Sequence, residues 1–315
     1  MSQWCEPRIK PAITSEVIGP WPAALTMPIK QTGADSMAVA ELQSRTTVGE
    51  HLRTWRERRR MSQMALSLEA GISTRHLSFL ETGRSQPSRE MIMLLARHLN
   101  IPLRERNVLL VAGGYAPLYG ERPFDDPGLE AARRAVNLIV QAHEPFPALA
   151  VDRHWNMICA NRMVPLLLDG VAPHLLQGPA VNVLRLCLHP EGVSKRILNL
   201  RQCRDHLLER LEQQIANTAD AGLAQLLEEL QAYPADNTSP QARAAPPAPE
   251  YGGLVVPLHL AVGERVLNLM STVTVFGSPM DVTVSELAIE TFFPIDEASA
   301  AYLRELTRGD RALDK

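Results

Sequence analysis

Aromatic side chains are scarce: Phe, Trp and Tyr make up 5% of the 315 residues. Leucine and alanine fill the apolar positions instead, which favours helices. Cysteine is scarcer still. Cys5, Cys159, Cys187 and Cys203 form no C-x-x-C pair and have no histidine cluster at zinc spacing, so no metal site is expected. Reduced thiols in a cytoplasmic protein are the simplest reading. No run of about 18 apolar residues is free of charge or proline, so no membrane span is read. Residues Met1–Ser36 hold charges and prolines but no long apolar stretch, which argues against a signal peptide. Residues 1–46 are expected to be a disordered extension, with Met37 an alternative start. Neither G-x-x-x-x-G-K nor G-x-G-x-x-G occurs, and no cofactor is expected.

The length suits two domains better than one core. The net charge of −3 conceals an asymmetry. Thr47–Gly113 carries eleven arginines and no lysine against six glutamates, a balance of +5. Residues 1–46 are balanced, four against four, so Gly114–Lys315 carries −8. A basic segment beside an acidic one suggests that only the first meets a polyanion, although an ordinary solvated helical surface gives the same count.

Five short helices fit residues 47–113. Thr47 and Glu50 form a T-x-x-E capping box for the first, whose apolar side is Val48, Leu52 and Trp55. Arg56, Arg58, Arg59 and Arg60 lie on its other side. Ser62 caps the second helix, with Leu66 and Ala70 inward, and Gly71 ends it. Ser73 caps the third, with Leu77 and Leu80 inward, and Gly83 ends it. Pro87-Ser88 opens the fourth, buried through Met91, Leu94, Leu95 and Leu99. The fifth runs from Leu103 to about Ala112 and stops at Gly113-Gly114. Two helices joined by so tight a turn at Gly71 cross steeply, and the second stands out as a ridge suited to the major groove of DNA.

The domain 47–114 resembles the Xre family of phage-repressor-type helix-turn-helix regulators. The residues that carry the match are Leu52-x-x-x-Arg56, Met61-Ser62-Gln63, Ala70-Gly71-Ile72-Ser73 and Leu77-Ser78-x-Leu80-Glu81-x-Gly83-Arg84-x-x-Pro87-Ser88. Met64-Ala65 depart from it, since relatives carry acidic residues there. The resemblance implies a five-helix lambda-repressor-like bundle that binds double-stranded DNA. By position, Gln63 presents its amide to a phosphate with help from the helix N-terminus. Thr74, Arg75 and Ser78 face the groove, and Arg75 can form a bidentate pair with guanine. Arg59 and Arg84 are placed to meet phosphate. His76 and Phe79 lie either against DNA or against a neighbouring helix. A protein-binding helical bundle is the alternative for the whole domain.

Residues 115–128 carry prolines and glycines and read as a hinge. Domain 129–308 is mixed α and β. A helix is expected over Leu129–Ala142, then strands in FPALAVD and WNMICAN around a turn at Asp152-Arg153-His154. A helix over Arg162–Leu168 follows, and then a long helical stretch from Ile197 to Tyr233, broken near Asp220-Ala221-Gly222. The Pro- and Ala-rich 234–253 reads as a loop. LVVPLHLAV, RVLNLMSTVTVF and MDVTVSELAIETFF alternate as three strands of an antiparallel meander that pairs with the early strands. With NVLRLCLHPEG, NLRQC and STVTVFGSPMDVTVSELAIETFFP in this order, the domain is similar to the PAS-like α+β, MmyB-like ligand-binding domain that follows an Xre-type reader. Cys203, where relatives tend to carry Trp, and the 234–253 loop depart from that pattern.

That resemblance implies an apolar cavity for a small lipophilic, fatty-acid-like ligand. Candidate walls are Trp155, Met163, Leu166, Leu167, Leu184 and Leu186, with Asn182 and Arg185 to orient a carboxylate. Leu and Met at helical spacing serve equally as plain core, and Arg185 as an ion pair. Catalysis has little support: Cys187 and His189 lack the context of a nucleophile pair, and His143-Glu144 lacks the second His of a zinc helix. A redox role for Cys187 or Cys203 requires a lowered thiol pKa. The expected protein is a cytoplasmic, non-enzymatic regulator that binds an inverted repeat as a homodimer, since one small reader buries too little surface for specific affinity. A DNA-tethered enzyme and an antitoxin-like interaction adaptor are the competing readings.

Overall fold

The computed structural model describes residues 46–178, 180–236 and 255–313, with side chains as far as Thr307. Cys5, the N-terminal extension before Thr46 and most of the 234–253 loop lie outside the described residues. The first five helices are α1 (Val48–Arg58), α2 (Gln63–Ala70), α3 (Thr74–Glu81), α4 (Arg89–His98) and α5 (Leu103–Ala112). The capping box at α1 is complete: Glu50 accepts from the Thr47 amide at 2.7 Å and Thr47 Oγ1 from the Glu50 amide at 3.3 Å. Ser62, Ser73 and Ser88 cap the next three. Gly71, at φ 67°, supplies the left-handed residue that turns α2 into α3. Leu52, Leu66, Leu77, Leu80, Leu95 and Leu99 meet in one closed core. Gly49 fits a constraint that periodicity does not reveal, because a Cβ there would collide with the Leu80 carbonyl oxygen.

Arg56 does not join the solvated side of α1. It is buried and pairs with buried Glu81, Nε to Oε1 at 2.6 Å and Nη2 to Oε2 at 2.9 Å, while Nη1 donates to the Met61 carbonyl at 2.8 Å. This pair ties α1 to the end of α3.

The segment 115–128, expected as a hinge, is tied to α5 at Leu118 and Tyr119 and to the second domain at Gly120. Asn107 of α5 accepts from the amides of Leu118 and Tyr119 and donates to the Tyr119 carbonyl. Gly120 bridges Asp281, and the Val282 amide donates to the Gly120 carbonyl at 2.7 Å.

The second domain is built on α6 (Glu130–Ala142), β1 (Ala148–Val151), β2 (Met157–Ala160), α7 (Met163–Leu167), α8 (Pro173–Leu176), α9 (Val183–Leu188), α10 (Leu200–Thr218), α11 (Ala221–Gln231), β3 (Leu258–Val262), β4 (Arg265–Val275), α12 (Val282–Ser285), β5 (Ala288–Pro294) and α13 (Glu297–Leu313). The sheet is antiparallel throughout, in the order β2-β1-β5-β4-β3. The late meander thus receives the early hairpin beside β5. The last expected strand is shorter than its alternating pattern suggests. Asp281 caps the short helix α12 through the Thr283 amide, and strand resumes only at Ala288. Alternation places Leu149, Val151, Leu267 and Leu269 on the face packed against α7, α9, α10 and α11. Ala148, Ala150 and Ile289 face the opposite way, onto α6.

Candidate DNA interface and ligand-binding core

The Ser73 side chain accepts from the His76 amide at 3.1 Å, which sets the first turn of α3. Thr74 and Arg75 on that turn are exposed and Ser78 is half-buried. Thr74 also shares a 2.9 Å hydrogen bond with Ser67 of α2, which fixes it at the turn between the helices. Phe79 and His76 are half-buried. Arg75 lies 5.3 Å from the Phe79 ring centroid and exposed Arg84 lies 5.9 Å from the same ring. The aromatic ring therefore holds two guanidinium groups on the face of α3. The i, i+4 spacing of Arg75 and Phe79 carried that signal.

Two of the residues expected at phosphate, Gln63 and Arg59, have partners within the protein. Gln63 donates one N–H of its side-chain amide to Glu81 at 2.8 Å, which leaves the second N–H and the side-chain oxygen for other partners. Arg59 faces away from the reading helix. Its guanidinium donates to the Leu99 and Asn100 carbonyls at 2.9 and 3.0 Å and to Asn217 Oδ1 of α10 at 2.7 Å. The carbonyl end of α4 attracts the cation, and the second domain completes its coordination.

The polar residues expected to orient a ligand carboxylate also have partners within the domain. Arg185 forms a bidentate pair with Glu229 of α11, at 2.8 and 2.7 Å. Asn182 caps α9 through the Arg185 amide and donates to the His154 carbonyl at 2.8 Å. Trp155, Met163, Leu167 and Leu184 do come together, with half-buried Leu166 and buried Leu186, in the main core on the helix-covered face of the sheet. Trp155 sits there because its backbone turns at φ 66° and its indole donates to Gln214 at 2.8 Å.

Residues 132–306 match the MmyB-like transcription regulator ligand binding domain, and residues 52–106 match a helix-turn-helix family. The chain belongs to the MmyB-like transcription regulators. It is a DNA-binding transcription regulator with a ligand-binding domain behind its reader. A search of curated proteins gives no match.

In this MmyB-like regulator the reader and the ligand-binding domain meet across a charged junction. Arg104 of α5 pairs with Glu286 through two hydrogen bonds of 2.8 Å and also with Glu121. Asp220, at the break between α10 and α11, accepts from His154 at 3.0 Å and lies 3.4 Å from Arg153. Burial opposes its ionisation, but the His154 hydrogen bond, electrostatic attraction to His154 and Arg153 and the Leu223 amide hold its pKa well below the usual carboxylate range. Burial raises the Glu105 carboxyl at the same junction, against Arg104, Arg153 and Arg58. A cleft of about 500 Å³ opens beside the Gly120–Asp281 bridge, lined by Leu129, Phe276 and Met280 among others, away from the sequence-derived walls. No helix among the described residues is long and apolar enough to cross a membrane.

Proposed function

We propose that the regulator reads an inverted-repeat operator as a homodimer, from the cytoplasm, and answers to a small lipophilic acid in its MmyB-like domain. The observation that carries the DNA half is the Ser73-capped α3, with exposed Thr74 and Arg75 and a second arginine, Arg84, held over the same Phe79 ring. Arg75 is the base-reading residue, Thr74 and Ser78 contact the groove beside it, and Arg84 meets phosphate. Gln63 fixes Glu81 through one amide N–H and keeps the second to donate to a phosphate.

The second domain acts as a binder rather than a catalyst. Burial pushes Cys159 up to about 11 and Cys187 and Cys203 up to about 12, so none is a thiolate at neutral pH. That also argues against a thiol-based redox sensor. Ligand binding changes the placement of two readers in the dimer through a difference in affinity between DNA-competent and incompetent arrangements.

Selection of the full chain against a random duplex pool, followed by native mass spectrometry, tests this reading. The expected result is a salt-sensitive inverted repeat, a two-subunit mass and a retained lipid. Binding without sequence preference, or a monomer bound to a single half-site, would refute it.

A further inference from the structure

Glu290 is an unusual residue for its place. It sits on β5, one strand from either neighbour, on the face that carries the main core, and its side chain is 9% exposed. Its register partners are Leu149 and Val273. A carboxylate in that setting is costly unless well paired, yet among the described residues its one ion pair, with Arg210 Nη1 of α10, is long at 3.4 Å. Burial raises its carboxyl pKa, opposed by Arg210, Ser271 of β4 and His206 of α10, while Cys187 of α9 also faces it.

Arg210 is held without help from Glu290. Its guanidinium lies 4.5 Å from the Trp155 ring centroid. That indole is locked by Gln214, whose amide donates in turn to the Arg153 carbonyl at 2.8 Å. Among the described residues its hydrogen bond to Glu290 is the only one the guanidinium makes, so most of its five N–H donors are available. Val273 and Val275 of β4 share the sheet face of Glu290 and Ala288 by register, and they are 40% and 60% exposed. A preorganised cation thus stands at the end of an exposed apolar strip.

We propose that Arg210 is the head-group subsite for the ligand: a carboxylate displaces Glu290 from the Arg210 guanidinium, and the attached alkyl chain lies over Val273 and Val275. This deepens the lipophilic-acid reading and rests on it. Glu290, left facing an anion without its cation, takes a proton from solvent, so binding the acid takes up protons and weakens as pH rises.

The test is calorimetry on the full chain with dodecanoate and with 1-dodecanol, its uncharged counterpart, in buffers of different ionisation heat. The wild type should prefer dodecanoate by about tenfold or more, the value of a charge-assisted hydrogen bond, with net proton uptake. Arg210→Gln should bring the two probes to parity while dodecanol affinity stays. Glu290→Gln should keep the preference and lose the proton uptake. The wild-type comparison of probes and buffers needs no variant, so it decides even where a substitution unfolds the domain. Equal affinity for both probes, or no proton uptake, overturns this subsite and leaves a lipophilic ligand elsewhere in the domain. Binding of neither probe overturns the subsite and the acyl-ligand reading together.

Discussion

Arg104 and Glu286 clasp each other across the junction of reader and ligand-binding domain, with both nitrogens of the fork engaged at 2.8 Å. Their side chains are 22% and 21% exposed, so solvent screens the pair only in part. Arg104→Ala and Glu286→Ala are expected to couple by about 1–3 kcal/mol in a double-mutant cycle. Denaturant unfolding of the two single variants and the double variant measures it. Strict additivity would show that the clasp does not stabilise the junction.

Arg56→Ala leaves the Glu81 carboxylate buried without its cation. The expected cost is about 3–5 kcal/mol, read as an early thermal transition of the helical domain. A loss below about 0.5 kcal/mol, typical of surface changes, would mean that water replaces the guanidinium.

Arg75 and Arg84 share a ring but should fail differently on DNA. Arg75→Ala is expected to lose about 1–3 kcal/mol on the selected operator and to relax the preference at one base pair. Arg84→Ala should weaken all sequences alike and lower the salt slope by about 1. Fluorescence anisotropy across a salt series separates the two, and identical behaviour would contradict the assignment.

Asp220 predicts a definite acid limb. Its folded-state pKa is depressed, so its contribution is complete above the unfolded carboxylate pKa, about 3.9, and is lost as pH falls toward the folded value. Asp220→Asn should be less stable than the wild type at neutral pH, with the difference shrinking below that pH. Chemical denaturation from pH 7 to 3 checks it, and a difference that stays constant would remove the charge argument.

Local rules made the reader legible. Ser62, Ser73 and Ser88 lie immediately before their helices, and Gly71 lies at the turn, so each cap is written within four residues. The strand pairing of the second domain also followed from alternation, except where Asp281 hid a helical turn inside an alternating run. Partners distant along the chain were not legible. Arg59 looks like any helix-end arginine until the carbonyls of Leu99 and Asn100 and the side chain of Asn217 arrive around it. Arg185 needed Glu229, and Arg210 needed both Trp155 and Glu290, before the surroundings of either guanidinium were known. The core walls could be found because apolar periodicity persists there, but periodicity does not tell a lined cavity from packed interior.

The anchored connector has a consequence for operator choice. With Leu118 and Tyr119 stitched to Asn107, and Gly120 stitched to Asp281, the connector is a strut instead of a leash. In the proposed homodimer, struts make a ruler: within the DNA-competent arrangement the two recognition ridges keep one separation and one angular phase around the duplex. Sites whose halves are rotated onto opposite sides of the double helix then lie outside its reach, however good each half is alone.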